Sequence, residues 1–161
     1  MTYDSRPDTW KHIHTVQGFM LQCIERLGRR SHSHDQSKLT GIELECFDQI
    51  TPLLKGTTYG SDEYKAILHK MKPAITSHQK ANNHHPEFYG DDGINGMDLL
   101  DLLEMLCDWK AASMRHDDGD IMRSIEINKK RFGIRGQLAS ILTNTVLRMG
   151  WNTDTQETVS K

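Results

Sequence analysis

The stretch Ser77-His78-Gln79-Lys80-Ala81-Asn82-Asn83-His84-His85-Pro86-Glu87 holds three histidines, two asparagines and a glutamate within eleven residues. Imidazoles and carboxylates are the groups that bind divalent transition ions. His78 and Asn82 are four apart and share a helix face, while Pro86 disfavours helix at His85 and turns the chain there. The plainer reading is a polar helix C-terminus, where imidazoles meet the negative end of the dipole. The chemical reading is a metal or phosphate site. A second group is His34-Asp35-Gln36-Ser37-Lys38. Its adjacent imidazole and carboxylate can reach one ion, although Asp35 could instead cap the next helix. Lys38, one turn from His34, suits either a substrate phosphate or a salt bridge. A third group is Asp101, Glu104 and Asp108, one carboxylate stripe at i, i+3 and i+7. If buried, the stripe needs cations, donors or a metal; otherwise it is the solvated side of an amphipathic helix. His12, beside Val16, is a fourth candidate.

Helices must position these groups. Ile13, Val16, Met20, Ile24 and Leu27 step by three and four, which predicts a helix from Thr9, capped by Asp8, to Leu27, with Gly28 ending it. Arg29 to Ser33 then reads as a polar connector. A second helix, 40–54, opens on a Thr40/Glu43 capping box. A loop with Gly56 and Gly60 follows, then a helix over 62–81 that Pro73 should kink or break. Phe88–Gly96 is turn-rich. Helix 97–114 is apolar on nearly every side and is expected in the middle of the domain. His116-Asp117-Asp118-Gly119-Asp120 lacks the ligand spacing of a calcium loop. Asp120 should cap a helix to Arg131, and a last helix spans 135–149. No stretch shows β alternation, so the expected fold is all-α: one domain over 9–151 of six to seven helices, with tails at 1–8 and 152–161.

Composition limits the function. The net charge of −2 carries no basic footprint for nucleic acid. The three cysteines, Cys23, Cys46 and Cys107, are far apart and read as reduced thiols of a cytoplasmic protein. No apolar run approaches membrane-spanning length. Nine histidines are the anomaly.

Taken in order, His12, His34-Asp35, His78, His84-His85 and Asp108 resemble the HD-domain metal-dependent phosphohydrolase superfamily, which orders a histidine, a His-Asp pair, further histidines and a closing aspartate on successive helices. The motifs His34-Asp35-x-Ser37-Lys38, His78-x-x-x-Asn82-x-x-His85-Pro86-Glu87, Glu104-Met105-x-x-Asp108-Trp109 and Ser124-Ile125-x-x-Asn128-x-x-Arg131-Phe132 are more closely similar to an uncharacterised family of phages and bacteria. The resemblance implies an HD-like bundle binding one or two divalent ions (Fe, Mn, Co, Ni or Zn) through His12, His34, Asp35, His78, His85 and Asp108, with His84 an alternative to His85 and with Asp101 or Glu104 an alternative to Asp108. It implies hydrolysis of a small phosphorylated molecule such as a nucleotide. Asp35, Lys38, Glu87 and Glu104 would serve the chemistry; Lys38, Asn82 and Arg131 would meet the substrate. Lys38 stands where HD nucleotidases often carry an acid. Competing expectations are a non-catalytic helical protein whose metal site is structural or partner-binding, and an iron oxygenase. Self-association as a homodimer is left open.

Overall fold

The first helix starts earlier and runs further than its apolar spacing predicts. A computed structural model describes residues 3–55, 57, 62–115 and 119–152. In it α1 spans Arg6–Ser33, with Pro7 in its first turn, where a missing N–H costs nothing. The helix passes straight through Gly28, because glycine ends a helix only where the chain beyond it has no reason to stay helical. Here it has one: Arg30 is anchored to carboxylates of a neighbouring helix. The segment read as a connector is therefore the last turn of α1.

The remaining helices are α2 (Gly41–Lys55), α3 (Asp62–Ala81), α4 (Leu99–Ser113), α5 (Ile121–Phe132) and α6 (Gly136–Arg148). Two 3-10 segments, Gln36–Leu39 and Pro86–Gly96, join α1 to α2 and α3 to α4. No strand occurs among the described residues, and the fold is the all-α single body that the sequence predicts. Helix α3 keeps its predicted bounds and is unbroken at Pro73. The Asp98 carboxylate starts α4 by accepting from the Leu100 and Asp101 amides, and Asp101 returns the bond to the Asp98 amide. Asp120 caps α5 through the Met122 amide, as its position predicts. At the other end of α5, Gly133 adopts the left-handed conformation (φ 65°) that closes a helix.

Two apolar clusters hold the body together. Met105, Leu106 and Trp109 of α4 pack with Ile121 and Ile125 of α5 and Leu142 and Val146 of α6. Ile50 of α2 packs on Ile67 and Met71 of α3, with Phe47 and Ile75 one turn farther from the loop that joins the two helices, so α2 and α3 run antiparallel. Helix α4 is less enclosed than its composition predicts: Leu99 is exposed, and the buried positions form one side. That side includes Asp101, so the carboxylate stripe faces inward rather than toward solvent. The loop residues Gly56, Tyr59, Gly60 and Ser61, together with His116, Asp117, Asp118 and most of the C-terminal tail, lie outside the described residues.

Candidate metal centre

The site forms where the C-terminal ends of α1 and α3 meet α4. Arg30 on α1 bonds Asp101 Oδ1 at 2.5 Å and Glu104 Oε2 at 2.6 Å, which sets α1 alongside α4 and delivers the chain into the His-Asp turn. Asp35 sits in that turn with φ 57°, the one positive-φ non-glycine among the described residues. A left-handed aspartate is tolerated because its short side chain bonds locally; the bond here is to the Lys38 ammonium at 2.5 Å. Asp35 makes no capping bond, so it is free to point into the site. On the opposite side, His78 leaves the last turn of α3. Pro86 holds His85 in an extended conformation (φ −107°, ψ 130°), which folds His84 and His85 back beneath His78.

Four donor atoms converge there: Asp35 Oδ1 and the Nε2 atoms of His78, His84 and His85. All four are buried, and none has a hydrogen-bond partner. Asp35 Oδ1 lies 3.0 Å from His78 Nε2 and 3.4 Å from His84 Nε2, close enough for hydrogen bonds but misaligned for them. The rings pack on one another, with His84 and His85 centroids 4.2 Å apart.

The far side of each imidazole explains the arrangement. His78 Nδ1 meets Glu43 Oε2 at 3.0 Å. His34 Nδ1 and His84 Nδ1 meet Glu104 Oε1 at 2.8 and 3.2 Å. Each carboxylate draws a proton onto Nδ1 and leaves the Nε2 lone pair facing inward. Lone pairs and a carboxylate oxygen crowded within hydrogen-bond distance repel one another unless a cation stands between them. Donor atoms about 2.0–2.1 Å from a shared ion lie roughly 3.0–3.4 Å from each other, which matches the two spacings to Asp35. The residues therefore fit a divalent ion.

A second group shares Asp35. His34 Nε2 is 3.6 Å from Asp35 Oδ2 and 3.8 Å from Asp108 Oδ1. The α4 stripe thus divides by function along the helix. Asp108 reaches the donors, Glu104 orients two of them, and Asp101 is spent on Arg30, Tyr89 and its own capping box.

Electrostatics follow from the burial. Burial works against the Asp35 anion, but proton donation from the His78 and His84 rings, in the state where no cation takes their place, and the Lys38 ammonium outweigh it and hold this carboxyl well below the usual carboxylate range. Burial, then the neighbouring imidazoles His84 and His78, push His85 down to about 3, so it remains a neutral donor.

Several expected site residues stand elsewhere. His12 is on the exposed part of α1, about 30 Å along the helix from His34 at 1.5 Å per residue. It is corrected from ligand to surface residue, since the helix does not end at Gly28 and fold back. The Asn82 amide donates to the His78 carbonyl at 2.8 Å and so braces a ligand. Arg131 is paired with Glu87 at 2.7 Å and stacks on Phe132; neither it nor Glu87 joins the donor groups. His84 and His85 both face the centre, where the spacing left a choice between them.

Sequence reasoning missed Arg30 and Glu43. Glu43 fits a capping box equally well, but its carboxylate is buried and committed to His78 and to Ser37 Oγ at 2.9 Å. The signal was Ser37, which the His-Asp motif contains and which Glu43 holds.

Beside His34, Glu104 and Asp108 opens a cavity of about 470 Å³ between α1 and α4. Its walls are Leu27, Leu103, Cys107, Ala111, Met149 and Trp151.

Fold and site together define an all-α protein with a buried His/carboxylate cluster able to hold a metal ion. Residues 1–149 match the family of unknown function DUF5662, and the chain belongs to that family. No curated protein and no solved structure matches it. None of these comparisons links the chain to the HD-domain superfamily.

Proposed function

We propose that the protein is a metal-dependent phosphohydrolase, HD-like in its site, acting on a nucleotide or related phosphate ester. One observation carries the reading: four buried, unpartnered donors, Asp35 Oδ1 and three imidazole Nε2 atoms, converge on one point. The second group at His34 and Asp108 adds to it, because Asp35 offers one oxygen to each group and is the residue that two ions would share. A bound Fe, Mn, Co, Ni or Zn ion supplies Lewis acidity, acidifying water and offsetting phosphate charge. The chain does the rest. Glu43 and Glu104 fix ring orientation, while Lys38 steadies Asp35 and brings a positive charge to the edge of the site for a phosphate oxygen.

A structural metal is the second reading, favoured by the four protein donors, which alone would saturate a tetrahedral ion. Elemental analysis of untagged wild type and Asp35→Ala, followed by a phosphate-release screen with added metals, separates the two. The hydrolase reading expects stoichiometric metal that the variant loses, and metal-dependent phosphate release. Metal without release favours the structural site. No metal after reconstitution removes both.

Beside the small phosphorylated substrate, the exposed apolar side of α1 supports a second copy of the chain as a partner. Arg30 meets Asp101 in the first turn of α4, and His34 meets Glu104 further along, so the two helices run parallel and the earlier residues of α1 extend past the start of α4. No residue of α1 is buried, and Trp10, Phe19, Met20, Leu21 and Ile24 are each more than half exposed. No helix among the described residues is long and apolar enough to cross a membrane.

A further inference from the structure

We infer that the cavity between α1 and α4 holds the leaving group of the substrate, and that this group is apolar: an aryl or alkyl phosphomonoester suits the site better than a nucleotide does. The inference rests on the hydrolase reading and names its substrate class.

The cavity's position makes the connection. Its polar edge is His34, Glu104 and Asp108, and His34 and Asp108 are also the donors of the second metal group. A phosphate held at that group therefore directs its ester substituent into the cavity. At about 470 Å³ the space is within the range of small-molecule sites and takes an aromatic ring or short alkyl chain.

The cavity's chemistry selects the substituent. Leu27, Leu103, Ala111, Met149 and Trp151 present carbon. Of the polar side chains on the wall, Arg30 is held by Asp101 and Glu104, Ser31 Oγ donates to the Gly28 carbonyl, and the free Cys107 thiol is only a weak donor and acceptor. A ribose or base entering here loses water without gaining partners, which is unfavourable. An aryl or alkyl group loses only unfavourable contact with water. In the reaction a water oxygen bonds to phosphorus and the bond from phosphorus to the ester oxygen breaks. One water proton goes to the departing oxygen, and the products are the alcohol and inorganic phosphate.

The test measures binding and turnover separately. Phenylphosphonate and methylphosphonate, neither of which the enzyme can hydrolyse at an ester bond, are titrated into metal-loaded wild type and Ala111→Phe by calorimetry. Wild type should bind the phenyl compound at least about tenfold more tightly, the scale on which apolar pockets discriminate. Ala111→Phe should abolish that gain while keeping metal content and methylphosphonate affinity. Leu103→Phe, filling the same cavity from two turns earlier on α4, guards against a folding defect in the first variant. Turnover of phenyl phosphate should likewise exceed that of nucleoside monophosphates at least tenfold. Equal affinity for the two phosphonates, or a gain that survives both variants, overturns the inference. If phenylphosphonate binds with the expected gain but no phosphate ester is turned over, the hydrolase reading falls and the apolar site stands.

Discussion

Glu43 shows how much of a metal centre depends on residues that would not touch the metal. Its carboxylate fixes the His78 ring from behind, with Ser37 as its other partner. Replacing it with glutamine keeps the size and removes the charge, so the His78 tautomer is no longer enforced. Glu43→Gln is expected to weaken metal affinity by about 10–100-fold, measured by competition with a chelator, with helix content unchanged. Unaltered affinity would mean that His78 is not a ligand. The donors themselves were largely legible in the sequence, because histidine next to aspartate, and three histidines around a proline, are unusual enough to notice. Their supports were not. A glutamate three residues after a threonine satisfies a local capping pattern on its own, and only tertiary contact reveals that His78, 35 positions away, claims it.

At the scale of elements, the principal miss was the length of α1. Gly28 is a stop signal in sequence, and the arginines beyond it look like a connector. The Arg30 guanidinium, however, gains two carboxylates by staying helical, and that outweighs a glycine penalty of about 1 kcal/mol. Because a Cβ at Gly28 meets no atom within 4 Å, Gly28→Ala should raise stability by about 0.5–1 kcal/mol in urea unfolding. Destabilisation would show that the helix does not continue there. Asp101 makes the complementary pH prediction. Burial opposes its ionisation, but Tyr89, the Asp98 amide and Arg30 outweigh burial and hold its pKa below the ordinary value. A depressed carboxyl pKa contributes stability that is complete above the unfolded value, near 3.9, and is lost as pH falls below it. Asp101→Asn should therefore destabilise the protein at pH 7, by about 3–5 kcal/mol for a broken buried pair, with the gap to wild type narrowing below about pH 4. A gap independent of pH would assign the effect to packing.

For the whole molecule, periodicity correctly identified the apolar stripe of α1 but not what it faces. Ile13, Val16, Met20, Ile24 and Leu27 predict a buried face in any chain, since the pattern records burial without saying in which copy. Only the last turns of α1 reach α4, and the rest carries its stripe beyond the body of its own chain. Together those side chains leave on the order of several hundred Å² of apolar surface exposed, more than monomers commonly carry and the scale of the roughly 800 Å² that each partner gives to a standard interface. Two copies related by a two-fold axis present the same stripe to one another, and a spacing of three and four residues is the one that paired helices interlock through. A dimer through α1 is therefore expected at micromolar concentration in sedimentation velocity. The double variant Met20→Glu/Ile24→Glu, which places four charges in that seam, should be monomeric with helix content and metal content retained, because neither residue approaches the centre. A monomeric wild type would leave the stripe without a second copy to cover it. A variant that remains dimeric would move the interface off α1.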